Sequence, residues 1–399
     1  MPHRGIFISQ MTQAQRQTAY FDHASTSPAR QSVVRAMEPF HREIFANAST
    51  THAQGLEARA ALDKARERVA CNVGADPCEI IFTSGGTESI ILSLIGAAVA
   101  NRHRGCHILT TAFEHHAVHA VFDFLRQEMG FETGIVGIDG DGMVRLDELE
   151  ANLRDDTTLV SVMAVNNEIG TIQDIRAVVD MCASRGIIVH SDFAQTFGKM
   201  DVDFHEIGVD LAAGSGHKFG GPKGTGSMYV KEGTLITPLC KSSHEFGIRA
   251  GTVNVPGVVG LSIAVEDAAS EAPEVVRRLA GFRDQLWNHI RTVAPDARIN
   301  GAIEKTLPSI LNVRFPGCNG ESMLLMLSKA GIAVTTASAC QSENPEPSHV
   351  LTAIGIDYLD ALSSIRLSMG YSTTQDEIDY FVRVFPEIYE RAKGGQNRR

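Results

Sequence analysis

Apolar residues in this chain fall into short runs, set between amphipathic stretches and turns of small residues. Runs too short for helices and rich in Val, Ile and Leu read as strands. They lie at residues 79–83, 107–111, 158–165, 186–190, 209–213 and 226–230. Helical spacing covers residues 33–44, 56–73, 89–99, 146–153 and 377–391, and a minor strand falls at 143–144. Further on, 307–313 and 364–368 read as strands of a second unit. Apolar strands alternating with helices predict an α/β fold whose mostly parallel sheet is buried on both faces. In such sheets ligands sit beyond the carboxyl ends of the strands.

Polar clusters follow those ends. After 79–83 comes Ser84-Gly85-Gly86-Thr87-Glu88, a glycine-rich turn opening a helix, which suits a phosphate or is simply a capped helix start. It has neither a Walker lysine nor dinucleotide-type glycine spacing. Residues 20–28 read as a short strand and a Ser- and Pro-rich turn, equally able to line a pocket or to be only a turn. His115 is either a packed side chain or one facing a ligand ring. Lys218, after Ser215-Gly216-His217, is a solvated charge or an amine held for covalent chemistry. Read singly, each bland option is as good or better. Read together, Thr87, His115, Asn167, Asp192, Gln195, Ser215, His217 and Lys218 converge on one crevice. An imine-forming lysine with an aspartate that keeps a ring nitrogen protonated matches pyridoxal 5'-phosphate.

Composition narrows the partners. The 399 residues carry 36 basic and 47 acidic side chains, a net charge of −11, and no strong basic patch. Direct nucleic-acid binding is therefore not expected. The longest apolar run, 90–100, is interrupted by Ser93 and is too short for a bilayer, so no membrane association is expected. The first residues lack the apolar core of a secretion signal. Seven scattered cysteines, with no Cys-x-x-Cys pair, argue against a disulfide framework or a zinc site and for a reducing cytoplasm.

Over residues 20–388 the chain resembles the group I cysteine desulfurases, which are fold-type I pyridoxal phosphate enzymes of the class V aminotransferase superfamily. The resemblance rests on Thr83-Ser84-Gly85-Gly86-Thr87-Glu88-Ser89, Glu114-His115, Val165-Asn166-Asn167-Glu168-Ile169-Gly170, Asp192 with Gln195, and Ser215-Gly216-His217-Lys218. It also rests on Arg249-Ala250-Gly251-Thr252, Ala337-Ser338-Ala339-Cys340-Gln341-Ser342 and Arg366.

That likeness implies a large cofactor-binding domain over 26–269 with a seven-stranded sheet. A small α+β domain would combine 1–25 with 270–399. It implies that Gly86, Thr87, Ser215 and His217 hold the phosphate, and that His115 stacks on the ring. Asp192 and Gln195 would meet the ring nitrogen and hydroxyl, with Asn167 near the hydroxyl and the substrate. Thr252 would reach the phosphate of a neighbouring subunit, hence a homodimer. Arg366 would grip the substrate carboxylate.

The implied reaction turns L-cysteine into L-alanine. Lys218 moves the α-proton, and the Cys340 thiolate takes the sulfur as a persulfide for an acceptor protein. His115 is the candidate acceptor of the thiol proton. Two positions depart from the family: Lys241-Ser242-Ser243-His244-Glu245 replaces a glycine-rich stretch, and Ile90-Ile91 replaces a polar pair. The chain ends soon after 377–391, without the long tail of the housekeeping enzymes. That suggests a dedicated acceptor, as in DNA phosphorothioation, tRNA thiolation or a thio-metabolite pathway, rather than general iron–sulfur assembly. The rival readings are a selenocysteine lyase, another class V enzyme, or a non-catalytic scaffold subunit of a sulfur pathway.

Overall fold

The structure is a computed structural model, and it describes residues 17–336 and 346–394. Its strands are β1 (Ala19–Tyr20), β2 (Ile80–Thr83), β3 (His107–Thr111), β4 (Glu132–Val136), β5 (Thr157–Ser161) and β6 (Ile188–Asp192), then β7 (Leu211–Ser215) and β8 (Gly226–Val230). β9 (Arg298–Ile299), β10 (Ile310–Arg314), β11 (Ile332–Ala333) and β12 (Ser364–Ser368) complete the set among the described residues.

Seven of them form one sheet in the order β2-β8-β7-β6-β5-β3-β4. Only β8 runs against the rest, paired antiparallel with both β2 and β7. The apolar runs bury both faces, as their composition requires. On β2, Phe82 joins one core with the helix Ala53–Cys71, while Ile81 joins another with the helix Gly86–Asn101. On β3, Leu109 and Ile108 divide in the same way, and both are fully buried. Each such side chain contributes about 1.5–3 kcal/mol.

β12, β10 and β9 form a separate antiparallel sheet. Its core gathers Leu311, Leu367, Met323, Phe381 and Phe385, with Phe21 set edge-on to Phe381. A 39-residue helix, Val255–Val293, links the two bodies. Its first half, with Val258 and Ala264, belongs to the large-sheet core, and its second half, with Leu279 and Leu286, to the smaller one. The expected boundary at 269/270 thus falls inside a continuous helix. Pro273 is accommodated within it.

The helix expected over 33–44 is instead two, Gln31–Met37 and Pro39–Arg42. Pro39 has no N–H to continue the ladder. Residues 143–144 make only a bridge, Ile138 to Val144. No described helix is long and apolar enough to cross a membrane.

One ion pair inside this frame is buried. Arg66 meets Glu245 at 2.7 Å, with side-chain exposures of 7% and 2%. Glu245 also accepts from the Phe82 amide at 2.7 Å, tying the departing 241–245 stretch to β2. Replacing Glu245 with Ala strands the guanidinium, so urea unfolding should show a loss of about 3–5 kcal/mol.

Candidate active site

The topology brings the polar clusters together. Asp192 ends β6 and Ser215 ends β7, His115 follows β3, and the Gly86 helix follows β2. These strands run the same way, so their carboxyl ends share one edge. A cavity of ≈ 620 Å³ opens there. Gly86, Thr87, His115, Asn167, Asp192, Gln195, Ser215, His217, Lys218 and Arg366 all line it.

Lys218 is held by the N-terminal segment. Its Nζ donates to the carbonyls of Ala24 (2.7 Å) and Ser25 (2.8 Å). Burial pushes its pKa down to about 8, and Arg366 adds to this, while Asp192 and Asp22 oppose it. The amine is thereby closer to its nucleophilic form than a surface lysine.

Asp192 is pushed the opposite way. Burial raises its pKa, while His115, the Ala194 amide (2.8 Å to Oδ1) and Lys218 favour the anion. His115 is lowered by burial, partly countered by Asp192. Its Nδ1 accepts the Ala117 N–H at 3.2 Å, capping the helix His116–Met129. In a neutral ring that assigns the proton to Nε2. Glu114 beside it accepts from the Met163 amide (2.7 Å) and the Thr111 hydroxyl (2.8 Å), and burial raises its pKa to about 8.

The phosphate end is built from backbone. Gly85 has φ 154°, a conformation few other residues adopt, and starts the helix Gly86–Asn101. A Cβ at Gly86 would lie 3.3 Å from the Ser215 Cβ. The helix N-terminus therefore closes directly onto the lysine loop. His217 shares a hydrogen bond with Thr26 Oγ1 at 3.1 Å, and burial lowers its pKa to about 4. Ile90, one of the departures, is buried and also lines the cavity.

Arg366 reaches in from β12. It donates to the Asn167 carbonyl (2.8 Å), to Asp22 (2.7 Å) and to Ser25 Oγ (2.8 Å). Its Nε is buried without a partner, and the residue lines the cavity, where its guanidinium can meet an arriving carboxylate.

One expected site residue, Thr252, does not line this cavity. Thr252 is exposed, although Arg249 of the same segment pairs with Glu88 at 3.2 Å. Cys340 lies outside the described residues. Ser25 lines the cavity as well, and Asp22 and Lys199, which were not expected at the site, lie close to its residues. The serine sits in a turn already suspected of lining a pocket. Asp22 and Lys199 carried no signal beyond their closeness to the turn and to Gln195.

The arrangement joins a desolvated amine, a buried carboxylate, a helix N-terminus and an arginine fork on one edge of a parallel sheet. The chain matches the family Aminotransferase class-V over residues 19–381. It belongs to that family. The cysteine desulfurase IscS of Dictyoglomus turgidum is 42% identical over 379 residues, covering 95% of this chain and 96% of that protein. A solved NifS-like protein superposes with a TM-score of 0.88 at 38% identity, covering 94% of this chain and all of the other. SspA, solved in complex with cysteine, gives 0.79 at 31% identity, covering 90% of this chain and all of the other. This class-V enzyme is pyridoxal phosphate dependent, and its fold is the expected one.

Proposed function

We propose that this enzyme is a cysteine desulfurase that removes sulfur from L-cysteine and leaves L-alanine. The observation that carries the reading is the meeting of Lys218, Asp192 and Arg366 in one cavity, in a chain 42% identical to a protein named cysteine desulfurase. That the related SspA was solved with cysteine supports the substrate.

The residues fit the coenzyme. The Gly86 helix start, Thr87, Ser215 and His217 suit its phosphate. Asp192 suits its ring nitrogen, His115 its ring face, and Gln195 with Asn167 its hydroxyl side. When bound, pyridoxal phosphate supplies an aldehyde that captures amines and a protonated ring that withdraws electrons from the neighbouring carbon.

The side chains do the rest. Arg366 binds the substrate carboxylate through its free donors. It is held in place by Asp22 and the Asn167 carbonyl. Lys218, once free, takes the α-proton on Nζ, where a pKa near 8 makes the uncharged amine accessible at neutral pH. The buried Asp192 carboxylate keeps a positive charge favoured beside it. The Cys340 thiolate attacks the substrate sulfur. As the S–S bond forms, the Cβ–S bond breaks and its electron pair stays with the carbon skeleton. That skeleton gains a proton and leaves as alanine, while the outer sulfur then passes to an acceptor nucleophile. His115 would accept the thiol proton on Nδ1, at the expense of its bond to the Ala117 amide.

We further read the enzyme as a homodimer in a reducing cytoplasm. Thr252 is exposed and free to reach a partner. Phe45, Leu56, Leu239 and Phe246 are large apolar side chains left about half or more exposed, which a second subunit would cover. Cys71, Cys78, Cys106, Cys182, Cys240 and Cys318 are all free thiols. We keep the reading of a large domain over 26–269 and a small one over 1–25 with 270–399, joined through the Val255–Val293 helix. The sulfur acceptor is taken to be a dedicated protein.

The test is a stoichiometric one. Holoenzyme given L-cysteine without a reductant should form one alanine per trapped persulfide, and a reductant should release continuous sulfide. Alanine formed with no protein-bound sulfur would reject the persulfide route. Release from selenocysteine alone would favour a selenocysteine lyase.

A further inference from the structure

Lys199 lies four residues beyond Gln195 and does not itself line the cavity. Its Nζ is 2.9 Å from Gln195 Oε1. It forms no ion pair with any described carboxylate. Burial lowers its pKa to about 7, and the charged groups that bear on it, Lys218 and Arg366, are both cations that add to the shift. His23, nearby, is lowered to about 4 by burial first and by Lys199 second. An amine kept in so unfavourable a place calls for a reason beyond packing.

The reason is in the amide it touches. The far end of that amide faces the Ala24 carbonyl, which only accepts, so the NH2 lies there and the Gln195 atom beside Lys199 is oxygen, the partner an ammonium requires. That fixes the flip of an amide whose two ends are otherwise nearly alike. The other end, Nε2, donates to the Ala24 carbonyl at 2.9 Å. Ala24, which lines the cavity, also accepts from Lys218. An NH2 has two hydrogens, and Ala24 uses one.

We propose that Lys199 is a positioning residue: it holds the Gln195 amide with its oxygen turned away and its NH2 turned toward the ring-oxygen side of the coenzyme. This rests on the reading of Gln195 as the partner of that ring oxygen. A donor there stabilises the oxygen as an anion, whereas a carbonyl oxygen would repel it. When protonated, Lys199 also adds positive charge close to Lys218 and Arg366. Both effects act the same way on the bound chromophore, opposing its protonation.

The test is a pH titration of the visible band of the holoenzyme, together with L-cysteine kinetics. In Lys199→Met the apparent pKa of the band should rise by about one unit, and Lys199→Arg, which keeps charge and donors, should stay near the wild type. In a Gln195→Leu background, Lys199→Met should move the band less than it does alone, because the two act as a unit. A folded Lys199→Met protein with an unmoved band overturns the proposal, as does an equal shift in both backgrounds. Equal shifts in the Met and Arg variants overturn it too. Urea unfolding of each variant separates these results from misfolding. A wild-type chain with no visible band would instead bring down the coenzyme seat, and this proposal with it.

Discussion

Lys218→Ala should lower the rate of alanine formation at least about a thousandfold, since it removes both the amine that captures the coenzyme and the base that moves the proton. The protein should stay folded, because the side chain's own contacts are two backbone carbonyls of a turn. Coenzyme retained by the variant should show the spectrum of the free aldehyde. The wild-type apoprotein offers a pH test of the same amine. With a pKa near 8 rather than 10.5, the uncharged fraction rises about tenfold per pH unit below 8 and levels off above it. The rate of coenzyme capture, followed by absorbance, should trace that curve. A rate still climbing tenfold per unit at pH 9 would mean that burial does not tune Lys218.

Cys340→Ala should abolish persulfide formation and cut sulfide release by a factor of about a thousand. The visible band of bound coenzyme should be unchanged, and its response to L-cysteine should persist. The reason is a division of labour between carbon and sulfur. Lys218, Asp192 and Arg366 act on the α-carbon, the ring and the carboxylate, whereas the sulfur needs its own nucleophile. A free thiol has a pKa of about 8.5, so only a minor fraction is thiolate at neutral pH. Rapid-scan absorbance with cysteine, beside mass spectrometry of Cys340, measures the two halves separately. Full sulfide release by Cys340→Ala would remove the persulfide route and favour direct elimination.

The sequence by itself determined the parts whose cause is local. The runs at 79–83, 107–111 and 226–230 became β2, β3 and β8 with ends moved by at most one residue, because adjacent apolar residues inside a short segment send side chains to both faces and mark a strand buried on both. The strand β4 was not legible. It is an edge strand with Glu132 and Ile135 exposed and Gly134 inside it, so neither alternation nor continuity marks it. The long helix Val255–Val293 escaped because its buried face changes core along its length, and Pro273 reads as a stop.

The site divides in the same way. Gly86, His115, Asp192 and Lys218 could be read because each follows a strand, and a parallel sheet sends its carboxyl ends to one edge. How distant residues tune them emerges only once the chain is folded. Asp22 lies 344 positions from the arginine it holds, and Ala24 lies 194 from the lysine it accepts from. The downward shifts of Lys218 and Lys199 come from burial and from neighbouring cations. Burial and charge proximity are properties of packing, and no spacing along a chain encodes them.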